Sequence, residues 1–495
     1  MPVLKETDIY CYAKGKGTDK MKMKKTLGLL LCVSMLFGCL TGCGDKTRQE
    51  ENKEETNEYP FRIEDLDGYV FTVADSNPAR WFPEEGSSNI ANAVINRVNK
   101  VEELFNCTIE RIDYDENEAQ LAAQAGTKYA DIVVCETWSL GRFLKARRLV
   151  DLAKLEGLNL EAEYWQRYGS TNILQYQDKI YALGAPFACQ HDEAVVMFFN
   201  KAIIEELNLE SPYDLYARDE WTMSKLLEYC KAAKKDLNGD GVFDGNDRYG
   251  FVCGHEFDGP FALYMGAGKH FIREEEDGHF TFELNTKEAF RTVNQVAEIL
   301  DPFENAYDCL GMVESDIVNL FVNGQTLFYC YSRARGVADP IYEMQDDFGI
   351  VPMPKGDDAG PDEYNCWVNH NAANMGILAN NPDLDKTVMI VEALAYFAQE
   401  ENEIEEEEYL NVKLRDDMAR EIVKNINRYA MIDYAWIGQQ CADAGGFQAM
   451  NSAVWAVTMT DRSKKIMSSI QEIEQQVETS IRQLEDILLQ KDTAQ

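Results

Sequence analysis

Positive charge and histidine are scarce in this chain of 495 residues: 48 Lys and Arg stand against 86 Asp and Glu, for a net charge of −38, and there are five His. A chain this acidic repels polyanions, which argues against nucleic acid or anionic lipid surfaces as partners. No two histidines are spaced to hold a metal, and no cysteine pair has the close C-x-x-C spacing. Neither a phosphate-cradling glycine loop nor a nucleophile elbow is present, and among so many carboxylates no acid/base couple can be singled out. These absences leave no catalytic motif and no cofactor for activity. Long apolar runs are missing too, since the stretch from Leu27 to Leu40 falls short of the roughly 20 residues of a membrane helix.

That stretch has another meaning. Lys22, Lys24 and Lys25 precede it and Leu40-Thr41-Gly42-Cys43 closes it, which is the order of a secretory signal peptide. The closing four residues resemble the bacterial lipobox, in which Cys43 receives lipid and becomes the first mature residue. Phe37-Gly38-Cys39 competes poorly, with a bulky residue where a small one is wanted. Residues 1–42 are therefore read as signal peptide, with Met21 or Met23 a plausible start. Residues 43–60 are read as the lipidated cysteine and a flexible tether too polar to bury a core. The expected location is the outer face of the cytoplasmic membrane. Removing residues 1–42, with seven Lys/Arg and three Asp/Glu, takes the net charge to −42.

Of 13 cysteines, Cys11, Cys32, Cys39 and Cys43 belong to the leader or anchor. The remaining nine are an odd number, so at least one stays unpaired. Several fall within apolar strand-like runs, as small buried hydrophobes do. A chain this long needs no disulfide scaffold.

Strand and helix signals alternate along the rest. Tyr69 to Ala74 reads as a strand, followed by Ile90, Val94, Val98, Val101 and Phe105 at helical spacing. Further strands are expected at 108–112, 132–135, 194–199, 326–331 and 348–351, several of them continuous apolar runs covered on both faces. The fold class is α/β with largely parallel sheets. Helices are expected with Asn285 as the cap of a run through Leu300, after Asn381-Pro382, and from Ile466 to Leu488, the last docked on the domain. The acidic run Glu400 to Glu408 reads as a solvated helix face or loop.

One loop stands apart. Asp236, Asn238, Asp240, Asp244 and Asp247 place oxygen donors at positions 1, 3, 5, 9 and 12, with Gly241 at position 6 and the Val242 carbonyl at position 7. This is the spacing of a calcium loop of the EF-hand kind, with Asp247 where a bidentate Glu is usual. The expected role is structural. A Gly/Asn/Asp-rich turn is the alternative.

Six segments, in this order, resemble the extracellular solute-binding proteins that include the maltose- and oligosaccharide-binding receptors of ABC importers. They are Ala130 to Val134 with Leu149 to Leu152, Asp178 to Pro186, Phe199-Asn200-Lys201, Glu220-Trp221-Thr222, Phe321 to Gln325, and Phe348 to Pro354. The resemblance implies a type II periplasmic-binding-protein-like fold: two α/β lobes, a hinge, and solute held in the cleft between them. Lobe 1 would take 61–188 and 353–402, and lobe 2 would take 189–352 and 403–495. It also implies a monomeric receptor that delivers a solute, expected to be a sugar, to permease subunits. A secreted carbohydrate-active enzyme and a sensor feeding a signalling receptor are the alternatives.

A sugar offers an apolar face and a rim of hydroxyls, so aromatic planes and hydrogen-bonding side chains beyond strand ends are the candidates. Arg80 and Trp81 follow the first strand, and Glu136 and Trp138 follow the third. Phe187 and Asp192 lie near the first lobe crossing, while Tyr331 and Arg333 end a later strand. Trp367 and Asn369 lie near the second crossing, and Trp436 among the last helices.

Overall fold

The computed structural model describes residues 59–168, 174–188, 193–254, 258–332, 340–369 and 372–488. The signal peptide, Cys43, the tether up to residue 58, Asp192 and Arg333 lie outside the described residues. Eight strands carry the architecture: β1 (Tyr69–Asp75), β2 (Cys107–Ile112), β3 (Ile132–Glu136), β4 (Val195–Asn200), β5 (Tyr249–Cys253), β6 (Thr326–Ser332), β7 (Phe348–Val351) and β8 (Ala373–Gly376). They form two four-stranded sheets, ordered β8-β3-β1-β2 and β7-β4-β6-β5.

In the first sheet β1, β2 and β3 are parallel and β8 is antiparallel. Period-two alternation divides its residues between two faces. Phe71, Val73, Ile132 and Val134 meet α1 (Asn89–Phe105), while Ala74, Val133 and Cys135 face the side of α2 (Glu116–Ala125) and α3 (Thr137–Lys145). Helix α1 begins where the Ser88 hydroxyl accepts the Ala91 N–H at 3.0 Å and ends at Asn106 in the left-handed region. The crossovers β1 to β2 and β2 to β3 thus run on opposite faces. The topological switch point falls between the carboxyl ends of β1 and β3.

The second sheet is mixed. β5 and β6 are parallel, but β4 runs antiparallel to both β6 and β7, so the expectation of largely parallel sheets holds only for the first. Its strands are buried throughout, which hides the alternation that would have betrayed β5. Helices α4 (Met223–Ala233), α5 (Asp258–Gly266) and α6 (Lys287–Ile299) accompany this sheet, and α6 is capped by Thr286 rather than by Asn285.

The chain crosses between sheets along paired segments. Leu183 and Met375 exchange backbone hydrogen bonds at 3.1 and 2.8 Å, and Asn369 N donates to Glu193 O at 2.9 Å. Val368 is bridged to Ala194 and donates its N–H to Met431 O at 3.0 Å. Residues 352–365 remain with the second sheet. There the Trp221 indole donates to Pro352 O at 3.0 Å, Lys355 bridges to Thr222, and Ser224 bonds to Asp357. Residues 352–365 thus stay with the second sheet and Ala373–Gly376 joins the first, later than the boundary at 352/353 that the resemblance implies.

Helix α7 (Leu384–Glu405) returns to the first sheet and packs on α1. Here the acidic run departs from expectation, because Glu401 is buried and ion-paired to the fully buried Arg97 of α1. Arg97 also donates to Arg80 O, and Asn402 donates to Pro186 O at 3.0 Å, tying α7 to the first crossing. Three helices finish the chain: α8 (Tyr434–Cys441), which packs on α3, then α9 (Gly446–Trp455) and α10 (Ile466–Leu488), which pack on each other. The α3–α8 contact is close enough that a Cβ at Gly141 would stand 2.7 Å from the Ile437 carbonyl oxygen. Through α8 the C-terminal segment therefore touches the first lobe as well as the second.

Burial raises the Glu401 carboxyl from 4.5 to about 7. The folded state then holds this proton more tightly than the unfolded state. The resulting stabilisation is fully present below about pH 4.5 and disappears as pH rises through about 7. Relative to Glu401→Gln, the wild type should lose up to about 3 kcal/mol between pH 5 and pH 8. Parallel denaturant titrations at the two pH values measure it, and a constant difference would contradict the assignment.

Candidate functional site

Both crossings enter at the carboxyl ends of the strands. Ala373 pairs with Glu136 at the end of β3, and Val195 pairs with Ser332 at the end of β6. These two edges are where a ligand of an open α/β sheet settles.

At the end of β1, buried Asp75 gathers donors: Asn77 N at 2.8 Å, the Arg80 guanidinium at 3.0 Å and the Trp81 indole N–H at 2.9 Å. This arrangement turns Trp81 inward. Its ring packs 5.6 Å from that of Phe187, and the Arg97 guanidinium lies 5.4 and 5.8 Å from the two rings. Trp81 and Phe187, expected to stack on a ligand, are thus core residues of the first lobe, enclosed because Asp75 and Arg97 need partners once they leave water. Arg80 stays at the edge, with a quarter of its side chain exposed.

The end of β3 remains open. Glu136 is exposed and accepts a hydrogen bond from the half-buried Trp138, whose ring has the Arg142 guanidinium 5.3 Å away. The preceding turn is rigid: Thr137 N donates to Ala372 O at 3.1 Å, and the Asn374 amide donates to the Thr137 hydroxyl at 2.7 Å. Trp138 is therefore presented from a fixed helix start that is itself bonded to the second crossing.

On the other side a cluster of aromatic rings forms. Trp367 and half-buried Trp436 stack with centroids 5.5 Å apart at 29°, and Phe261 stands edge-on to Trp436 at 4.8 Å and 90°. The Asn369 amide donates to Asp258 at 3.1 Å. Trp367 is fully buried, and Tyr331 nearly so, its ring resting where a Cβ on Gly254 would be 2.4 Å away. These two line the inside of the second lobe, where strand and helix packing covers them.

The structure thus brings together Trp367, Asn369 and Trp436, and sets Arg80, Glu136 and Trp138 on the edge of the first sheet. Asp75, Asp258 and Phe261 belong to the same surroundings and were missed. Asp75 is the last residue of β1, and Asp258 and Phe261 follow β5, so the rule of looking beyond strand ends would have found them had β1 been carried to Asp75 and β5 been recognised.

A separate groove of about 650 Å³ between α3 and α8 is lined by Gln120, Arg142, Lys145, Gln440 and Asp443 among others. Its cations are ion-paired, Arg142 with Glu116 and Lys145 with Asp443.

The 236–247 loop is built on its own acids. Asp236 accepts the N–H groups of Gly239 and Gly241 at 2.6 and 2.8 Å, Asn238 accepts that of Asp240 at 2.9 Å, and Asp240 accepts that of Val242 at 2.7 Å. Asp247 is buried and accepts those of Leu237 and Asp244, both at 2.9 Å. Asp244 accepts that of Asn246 at 2.8 Å. The donors have the type and order that calcium takes, but among the described residues no three acidic, histidine or cysteine side chains converge as a ligand set.

A family model described as bacterial extracellular solute-binding protein matches residues 106–404. Solved structures share the fold. The sugar-binding protein MalE from Xanthomonas citri is 13% identical, with a TM-score of 0.58 over 85% of this chain and 100% of that one. A MalE domain from Bdellovibrio bacteriovorus bound to maltotriose is 16% identical, with a TM-score of 0.52 over 84% and 99%. UgpB from Mycobacterium tuberculosis in complex with glycerophosphocholine is 16% identical, with a TM-score of 0.53 over 84% and 98%. A search of curated proteins finds no match.

Proposed function

Because this chain belongs to the bacterial extracellular solute-binding protein family, we propose that it is the receptor subunit of an ABC importer and that its cargo is a carbohydrate. The observation that carries the reading is the family match over residues 106–404, joined to edges that offer Trp138 with Glu136 on one side and half-buried Trp436, backed by Trp367, on the other. Indole faces suit the apolar face of a sugar ring, and the neighbouring carboxylates and amides suit its hydroxyls. Maltotriose in one structural neighbour points the same way. A monomer that closes its lobes on the solute would give the permease subunits a signal that it is loaded.

A thermal-shift screen over sugars and polar metabolites tests the cargo class: one or more sugars should raise the melting temperature without being turned over. Stabilisation by non-sugars alone would refute the carbohydrate reading, and turnover of a chromogenic glycoside would favour a hydrolase. With the best ligand, Trp138→Ala should weaken binding about tenfold while leaving the melting point of the free protein nearly unchanged.

The reading places the protein at the outer face of the membrane through a lipid on Cys43. Growth of the expressing bacterium on labelled palmitate should label the wild type and not Cys43→Ser. Label retained in that variant would move the anchor elsewhere.

For the 236–247 loop the reading assigns calcium as a structural ion, drawing Asp236, Asp240 and Asp247 inward around it. Calorimetric titration of chelated protein should give heat, and the same calcium should raise the melting temperature. Silence at millimolar calcium in both measurements would leave the loop as a turn held by its own hydrogen bonds.

A further inference from the structure

Three cysteines lie abreast in the second lobe. In the parallel ladder between β5 and β6, Cys330 is the register partner of Cys253. On the other flank of β5 an extended segment adds itself to the sheet: Gly250 N donates to Asn305 O and Tyr307 N donates to Phe251 O, each at 2.8 Å. That short ladder delivers Cys309, whose sulfur sits 3.3 Å from that of Cys253. All three thiols are buried. Helix α5 presses on the same sulfur, because a Cβ on Gly259 would stand 2.9 Å from Cys253 Sγ. Asp258 and Phe261, which meet Asn369 and Trp436, flank that glycine.

From this juxtaposition we infer that the exported protein carries a disulfide between Cys253 and Cys309, lying under the helix that brings Asp258 and Phe261 to the site. The inference rests on the extracellular placement of the family, since only outside the cytosol do such bonds persist. The oxidant is a disulfide, either a small molecule or a protein thiol oxidase. One cysteine thiolate attacks it, forming a mixed disulfide and expelling one thiol. The second thiolate then attacks the bonded cysteine sulfur and expels the other thiol. Two electrons pass to the oxidant, and the two protons leave with its thiols. Contact with Cys309 and burial both push the Cys253 thiol up, so thiolate attack belongs to the interval before the core closes. Once made, the bond closes a loop across 56 positions and is shielded from reductant. The 3.3 Å contact selects Cys309 over Cys330.

The test uses the full chain, recovered after export and blocked with N-ethylmaleimide in denaturant without reductant. Peptide mapping should show Cys253 joined to Cys309, with Cys330 alkylated. The link should survive in Cys330→Ser and vanish in Cys309→Ser, where Cys253 becomes alkylatable. Wild type reduced in denaturant and refolded under reductant should melt several degrees below the oxidised protein, whereas the same treatment should leave the transition of Cys309→Ser unmoved. Full alkylation of both cysteines, or a bond from either one to Cys330, would overturn the proposal. The readout is covalent, so it stands or falls separately from any sugar-induced melting shift.

Discussion

The arrangement depends on the hydrogen-bonded pairing of the two chain crossings. Leu183 with Met375, Ala194 with Val368, and Glu193 with Asn369 form a short ladder that holds the carboxyl edges of both sheets against the same strip of backbone. Backbone amides in this position must bond to something, and bonding to each other leaves little freedom in where the two edges meet. Thr137 and Asn374 extend the constraint to the start of α3, which is why Trp138 is presented from a rigid element.

Electrostatics explains the second layer. In a chain this acidic most surface cations find an acid cheaply and contribute little. Arg97 is different, because it is fully buried and must satisfy its charge inside the first lobe. It takes Glu401 as counter-ion, Arg80 O as acceptor, and the rings of Trp81 and Phe187 as walls. Two aromatics that a sugar site would welcome are consumed in housing one cation. Removing either ionic partner would strand the other in the core, so α1, α7 and the first crossing are bound together by more than apolar packing.

The second lobe uses a different device. Its sheet is apolar on both faces, and residues of small volume set how closely helices approach. Cys253 and Gly259 let α5 sit on β5, and Gly250 lies where a Cβ would stand 2.2 Å from the Cα of Cys230. Thiols serve there as small hydrophobes, and the same close packing is what places two of them in contact.

Sequence alone determined the α/β class, six of the eight main strands, the amphipathic faces of α1 and α10, the family, and the order of oxygen donors in the 236–247 loop. These are readable because each depends on near neighbours: periodicity, caps and short motifs recur within a turn or a strand. Tertiary structure decided the rest. Whether Trp81 faces ligand or core depends on Asp75 and on Arg97, sixteen residues away. Whether Glu401 is solvated depends on a helix some three hundred positions earlier. The late second crossing depends on 352–365 finding Trp221 and Ser224. The aromatic cluster of Phe261, Trp367 and Trp436 unites three distant segments, and only folding places their rings in contact, because burial and pairing energies act between residues that the linear order keeps apart.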